Sequence, residues 1–299
     1  MHPSALYFGK VFFDKYIKNI NKKIDVVEIG SQDVNGSLKD FFVCQENINY
    51  TGLDFATGKN VDIVIDDPYL LPLNNESVDV IISSSCFEHS EFFWLSFCEM
   101  LRVLKVGGLV YINVPSNGYI HRYPVDCWRF YPDSGMALVN WGNRCGYEVK
   151  LLESFISSQH SDAPEDRWND FVAVFSKGEN STVYNERICT DADVYLNHIY
   201  IDNKLQKNSE FLPEDFKIQD NLKAYIIEAQ ENINALVASY QSELDCRGIE
   251  VERLKAQLNN KEKELSERGD LIEQLKSTVI SMNDELYLRA LEIERLKAE

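Results

Sequence analysis

The segment VVEIGSQDVNG, residues 26–36, is the strongest indication of the fold of this chain. It closes a β-branched run at residues 24–29, which is typical of a buried strand, and leads through a turn into a helical pattern. Gly30 and Gly36 in that turn would let a ligand approach the backbone closely. Glu28 is an acid near the end of a mostly apolar strand. The turn lacks the G-x-G-x-x-G triplet of dinucleotide sites, which argues against a nicotinamide-dependent oxidoreductase.

Short apolar runs continue to alternate with helical patterns as far as Lys177. The alternation predicts an α/β fold, a Rossmann-like and mostly parallel sheet with helices on both faces. Ligands of such sheets bind at the carboxyl ends of the strands, so residues just after each strand are candidate site residues. The further predicted strands are residues 50–54, 61–66, 78–83, 109–114, 147–153 and 171–176, and the predicted helices are residues 38–45 and 92–105.

Glycine, proline and tryptophan are distributed unevenly along the chain. Twelve of the 14 Gly, seven of the 8 Pro and all four Trp lie in residues 1–178, which we predict to be the globular domain. Residues 179–243 are interpreted as a mostly helical linker. In residues 244–299 an apolar side chain recurs every seventh position, at Leu244, Val251, Leu258, Leu265, Ile272, Val279, Leu286 and Ile293.

This heptad repeat predicts a left-handed coiled coil, and through it a homo-oligomer. The second core position of each heptad is polar about half the time, as at Arg247, Lys261, Arg268 and Arg289. The pattern therefore leaves a dimer and a trimer both open.

Charge and cysteine usage exclude several classes of protein. The net charge is −18, and both the globular part and the tail carry excess acid, which argues against a nucleic-acid partner. Seven Cys without a C-x-x-C pair predict reduced thiols and a cytoplasmic location. No run of 18 apolar residues predicts a transmembrane segment. No His, Asp or Glu cluster shows metal-ligand spacing, so the sequence assigns no metal site and leaves open whether a metal assists.

Taken in order, five segments resemble the class I S-adenosylmethionine-dependent methyltransferases, of the type 11-like kind. The resemblance covers about residues 24–177. It implies a seven-stranded sheet whose last strand, residues 171–176, is antiparallel, and it implies S-adenosylmethionine as cofactor. The matching segments are E-x-G at Glu28 and Gly30, Asp54 at the end of the second strand, DDPYLLPL (66–73), SSSCFEH (83–89) and LRVLKVGGLVYINVPS (101–116).

The same resemblance implies roles for individual residues. The methionine portion of the cofactor would be lined by Glu28, Gly30, Gln32 and Gly36. Asp54 would hold the ribose, Asp67 the adenine amine, and Ser84 would contact the cofactor after the fourth strand. At position 32 this chain departs from the commoner glycine of the family. An Asp before Pro, as at position 67, is also a frequent turn residue.

Methyl transfer is an in-line displacement, so aligning the acceptor supplies much of the acceleration. An alcohol acceptor also benefits from a nearby base. The loop HRYPVDCWRFYPD, residues 121–133, follows the fifth predicted strand and offers aromatic faces and Arg side chains to a sugar or an anion. Our choice of base is His121, with Asp126 second. His89 and His160 are further candidates, although His89 also fits a core or capping histidine and the loop also fits a structural role.

The sequence therefore predicts an O-methyltransferase for a glycan or small-molecule acceptor. The 121–133 loop together with a coiled coil resembles the bacterial O-antigen and polysaccharide methyltransferases. The alternative is a catalytically inactive methyltransferase-like scaffold that works through its coiled coil.

Overall fold

The computed structural model describes residues 3–158, 168–178, 184, 186–190, 199–207 and 214–298. The chain divides into two compact units, Met1–Lys217 and Ile218–Glu299. One candidate base from the sequence, His160, lies outside the described residues.

The first unit is built on one mixed sheet. Its described strands are β1 (Ile24–Ile29), β2 (Ile48–Asp54), β3 (Ile63–Val64), β4 (Val78–Ser84), β5 (Leu104–Pro115), β6 (Val149–Ile156), β7 (Asp170–Lys177), β8 (Ile199–Ile201) and β9 (Lys204–Lys207). Their order is β3-β2-β1-β4-β5-β7-β6-β8-β9. The pairs from β3 to β5 are parallel, and β7 is antiparallel to both β5 and β6. The predicted Rossmann-like fold and its antiparallel last strand are confirmed.

Helices cover both faces of this sheet because the strands are apolar on both faces. Neighbouring residues of a strand point to opposite faces. In β4, Val80 and Ile82 join one buried cluster, whereas Ile81 joins the other. The helices are α1 (Pro3–Phe12, extended by a π-helical turn Phe13–Ile17), α2 (Lys39–Phe42), α3 (Phe93–Val103) and α4 (Ser134–Arg144).

Two strands lie in the segment that the sequence analysis interpreted as a mostly helical linker. β8 and β9 form a hairpin that extends the sheet beyond β6, so its described part has nine strands rather than seven. Asp202 and Asn203 at the hairpin turn both have positive φ, 48° and 61°. This is the geometry that two-residue hairpins favour and that Asn and Asp tolerate. The strands are three and four residues long, too short for their pattern to stand out.

The second unit consists of one long helix, α5 (Glu214–Ala298), of 85 residues, whose first four residues belong to the first unit. Its heptad side chains are exposed in the single chain; Leu244 is 61% and Leu265 is 67% exposed. A continuous apolar stripe of this length is expected to pack against another helix. Among the described residues, no helix is apolar enough over sufficient length to cross a membrane.

The backbone at Asn60 approaches Gly52 in β2 so closely that only glycine fits there. A Cβ added there would lie 2.2 Å from the carbonyl oxygen of Asn60 and 2.7 Å from the hydroxyl of Ser31. The chain also closes on Gly52 through hydrogen bonds, because its N–H donates to Asp62 Oδ2 and its carbonyl accepts the Asp62 N–H.

We expect Gly52→Ala to lower the free energy of unfolding of the first unit by about 1–3 kcal/mol, since the backbone must move to admit the methyl group. All four Trp lie in that unit, so their fluorescence in a urea titration of the full chain reports on it selectively. The matched control is Gly248→Ala in α5, where an added Cβ meets nothing within 4 Å. An unchanged transition for Gly52→Ala would contradict the packing described here.

Candidate functional site

One cavity of about 360 Å³ lies at the carboxyl ends of the central strands. Its wall comes from residues that follow β1, β2, β4 and β5, as expected for an open α/β sheet. Seven of the residues predicted from the sequence line it: Gly30, Gln32, Gly36, Asp54, Ser84, His89 and His121. Three others, Glu28, Asp67 and Asp126, are not among its lining residues.

The turn after β1 is tied to the end of β2. The N–H of Gly30 donates to the Leu53 carbonyl at 2.9 Å, and the N–H of Gln32 donates to Asp54 Oδ2 at 3.0 Å. Gly30 has a φ of +80°, which favours glycine, and a Cβ there would lie 2.9 Å from the Cys86 side chain. The turn is therefore packed against the start of the segment after β4, with its backbone facing the cavity.

Asp54 is the acid best placed for a ligand. It is 5% exposed and lines the cavity. Its Oδ2 accepts the Gln32 N–H, and its Oδ1 accepts the Ala56 N–H at 3.3 Å. A carboxylate offers about four acceptor positions, so room remains for two hydroxyl donors of a ligand.

Other cavity residues complete a surface for a nucleoside. The buried hydroxyl of Ser84 lines the cavity and has no hydrogen-bond partner among the residues that the structure describes. Phe55, which is 54% exposed, presents an aromatic ring directly after Asp54. Phe55 and Cys86 were not predicted as site residues, although Phe55 directly follows Asp54 and Cys86 lies within the segment SSSCFEH (83–89).

Glu28 and Asp67 take positions different from those implied by the resemblance. Glu28 is buried and accepts a hydrogen bond from the Tyr50 hydroxyl. Its burial raises its pKa from 4.5 to about 8. Asp67 lies in an exposed turn, where its Oδ1 accepts the N–H of Tyr69 at 2.8 Å. The structure thus gives Asp67 the role of a turn residue before Pro, whereas Pro68 and Ile65 line the cavity.

Two histidines come together at the other end of the same cavity. The ring centroids of His89 and His121 are 4.9 Å apart, and the two rings meet edge to face. His89 Nδ1 lies 2.5 Å from the carbonyl oxygen of Val125. A carbonyl only accepts hydrogen bonds, so Nδ1 carries the proton and Nε2 of neutral His89 keeps its lone pair. Burial lowers the pKa of His89, which favours that neutral form.

Asp126 anchors His121 and is itself held by Arg129. Asp126 Oδ2 accepts the backbone N–H of His121 at 2.7 Å and lies 3.5 Å from its Nδ1. Arg129 donates to both carboxylate oxygens of Asp126, at 2.6 and 2.9 Å. These hydrogen bonds lower the pKa of Asp126 to about 2, which makes it a weak base. The geometry therefore supports a positioning role for Asp126, our second choice of base.

Glu88 lies beside the two histidines and is fully buried. Among the described residues, neither of its carboxylate oxygens has a hydrogen-bond partner on another residue, and Oε1 is 3.7 Å from His89 Nε2. Burial raises the pKa of Glu88 to about 8. One ligand atom from each of Glu88, His89 and His121 lies within 4.8 Å of the others, a grouping that sequence spacing did not reveal.

Aromatic side chains form the rim at this end of the cavity. Tyr119 is 71% exposed and Tyr123 is 53% exposed, and both line the cavity. Trp168 lies beneath them, with its ring 5.1 Å from His121 and 5.2 Å from Tyr119. Flat apolar faces next to polar groups suit a sugar ring or an aromatic acceptor.

Part of the first unit matches a known protein family. A family model described as a methyltransferase domain matches residues 39–112. No curated protein matches the chain.

Solved structures similar to the chain include two methyltransferases. The 1,6-didemethyltoxoflavin-N1-methyltransferase of Burkholderia thailandensis, with bound 1,6-didemethyltoxoflavin and S-adenosylhomocysteine, is 12% identical, with a TM-score of 0.45 over 60% of this chain and 80% of that one. A SAM-dependent methyltransferase of Aquifex aeolicus is 15% identical, with a TM-score of 0.39 over 58% and 93%.

The raised pKa of Glu28 predicts a pH-dependent stability. Between about pH 4.5 and 8 the folded chain keeps a proton that the unfolded chain releases, so Glu28 lowers stability as pH rises. We expect Glu28→Gln, which cannot ionise, to lose less stability than the wild type between pH 5 and 8. The difference should be on the order of a few kcal/mol.

Urea titrations of the cofactor-free chain, followed by Trp fluorescence at several pH values, measure this difference. Glu91→Gln, which changes an exposed carboxyl group, is the matched control and should follow the wild-type profile. Parallel profiles for wild type and Glu28→Gln would show that burial does not act on Glu28 as described.

Proposed function

We propose that the first unit of this chain is a class I S-adenosylmethionine-dependent methyltransferase domain that methylates a hydroxyl of a glycan or small-molecule acceptor. The observation that carries the proposal is that two sets of residues with different chemistry line one cavity. We call the set with Asp54 and the Gly30 turn the first end of the cavity, and the set with the histidines and the aromatic rim its other end.

The residues at the first end fit the cofactor S-adenosylmethionine. Asp54 retains acceptor positions for the two hydroxyls of a ribose, and the unpartnered Ser84 hydroxyl can bond to a polar group of the ligand. Phe55 offers a ring for stacking on a nucleobase. We propose that Gly30, Gln32 and Gly36 line the methionine portion, as expected from the sequence.

Chemistry at the other end depends on alignment and proton removal. The bound cofactor supplies a methyl group on a positively charged sulfur, which is already activated. Tyr119, Tyr123 and Trp168 would orient the acceptor so that its oxygen faces the methyl carbon. His121 and His89 line the same cavity, and we assign activation of the acceptor hydroxyl to them.

The acceptor class and the biological setting are the finer part of the proposal. The aromatic rim favours a sugar ring as acceptor. The 121–133 loop together with α5 supports a role in surface-polysaccharide biosynthesis, because this combination resembles the bacterial O-antigen and polysaccharide methyltransferases. All seven Cys are free thiols, and the cytoplasmic location expected from them stays a prediction. The acidic charge likewise supports an acceptor other than nucleic acid.

An inactive scaffold is the alternative function. It would retain the fold, the long helix and cofactor binding, but it would have no need of groups that orient and activate an acceptor. The two histidines and the exposed aromatic rim of the cavity favour an active enzyme over this alternative.

We expect Asp54→Ala to weaken binding of S-adenosylhomocysteine by at least ~10- to 100-fold, because hydrogen bonds to a charged acceptor are lost. Asp67→Ala is the matched control and should bind normally, since its carboxylate faces an exposed turn. Isothermal titration calorimetry of the full chain measures both, with Trp fluorescence as a check on folding. Equal binding by wild type and Asp54→Ala would contradict the assigned ribose site.

Label transfer distinguishes the enzyme from the scaffold. With methyl-labelled cofactor and a polysaccharide extract or lysate, the wild type should produce a labelled glycan or small molecule and Asp54→Ala should not. Cofactor binding without any labelled product in these fractions would favour the scaffold.

We also propose that α5 makes the chain a homo-oligomer through its heptad stripe. The double variant Leu265→Asp/Ile272→Asp should reduce the mass measured by light scattering to that of one chain, because charges would replace two apolar core side chains. Lys263→Asp, away from the stripe, is the control. A monomeric wild-type chain would refute the coiled coil.

A further inference from the structure

The fully buried carboxylate of Glu88 is not explained by a base mechanism. In the part of the chain that the structure describes, both of its oxygens lack a hydrogen-bond partner on another residue, which is costly for a group removed from water. A base mechanism needs one imidazole and an orienting group, and it gives Glu88 no task. Two histidine rings nevertheless lie next to it, with His89 Nε2 at 3.7 Å from Oε1.

Resting on the proposed methyl transfer, we propose that Glu88, His89 and His121 bind one divalent transition-metal cation at the wall of the cavity. Their ligand atoms lie within 4.8 Å of one another. Metal–ligand bonds of about 2.0–2.2 Å place two ligands of one ion roughly 3–3.5 Å apart. A contraction of about 1.5 Å would close the site.

The surroundings of both histidines resemble the outer shell of a metal site. A ligating histidine usually donates its second ring N–H to a carbonyl or carboxylate, which fixes the tautomer. His89 Nδ1 meets the Val125 carbonyl in this way, and His121 Nδ1 lies 3.5 Å from Asp126. Arg129 is paired with Asp126, so its positive charge is balanced close to the cluster.

The ligand set indicates the class of cation. Two imidazoles and one carboxylate suit Zn²⁺, Mn²⁺, Fe²⁺ or Co²⁺, whereas Mg²⁺ and Ca²⁺ prefer oxygen ligands. Three protein ligands leave coordination positions open, which is the arrangement of catalytic rather than structural sites. His89 and His121 line the cavity, so these positions would face the acceptor.

A cation here would activate the acceptor hydroxyl and make His121 a ligand rather than a free base. Coordination lowers the pKa of a bound hydroxyl group, and its proton leaves to water. The oxygen then forms a bond to the methyl carbon while the carbon–sulfur bond breaks. The electron pair of that bond stays on sulfur and gives neutral S-adenosylhomocysteine.

The test uses the full chain, stripped of metal with a chelator and titrated with Co²⁺ alone. Visible absorption of the bound ion and mass-spectrometric metal content measure binding without reference to activity. We expect one equivalent per chain, with affinity at least ~10-fold lower in Glu88→Gln and in His121→Ala. The control, Glu91→Gln, removes a nearby exposed carboxyl group and should bind like the wild type.

Absence of stoichiometric Co²⁺ binding, or equal binding by wild type and His121→Ala, would overturn the inference. His121 is 26% exposed, so its variant decides the matter if Glu88→Gln does not fold. Calorimetry with S-adenosylhomocysteine on the same samples separates the two proposals. Cofactor binding without metal binding sinks only the metal site, and metal binding without cofactor binding sinks only the proposed function.

Discussion

The hydrogen bond from the Gln32 N–H to the Asp54 carboxylate is the interaction on which the site depends. It joins the turn after β1 to the end of β2, so the glycine bend and the acid are positioned together. Parallel pairing of β1 and β2 brings these two strand ends to one edge of the sheet. The same edge receives the segments after β4 and β5, which carry the histidines. The proposed cofactor and acceptor sites thus both follow from one feature of the sheet.

Much of the fold was predictable because the apolar pattern of the strands can be recognised in the sequence without knowledge of tertiary contacts. β1, β4 and β5 are buried on both faces, so each stands out as a continuous β-branched or apolar run. The antiparallel β7 was placed through the family resemblance, and the structure confirms it. The β8–β9 hairpin was missed, because two very short strands gain their stability from pairing with β6 rather than from their own composition.

The candidate site was less predictable, because side-chain direction depends on tertiary contacts. Asp54 follows directly from its place at a strand end. Asp67 holds an equivalent place in the sequence, but its turn directs the carboxylate to a local N–H. Glu88 and His121 lie far apart in the chain and meet only because the loop after β5 folds back over the turn after β4. The backbone carbonyl of Glu88, which accepts the N–H groups of Cys127 and Trp128, holds that loop there.

A crystal structure of the full chain with S-adenosylhomocysteine tests the assigned site most directly. We expect the nucleoside in the cavity, with both ribose hydroxyls at about 2.6–3.2 Å from the Asp54 carboxylate and the sulfur directed toward His89 and His121. A cavity filled by side chains, or a ligand bound with its ribose away from Asp54, would contradict it.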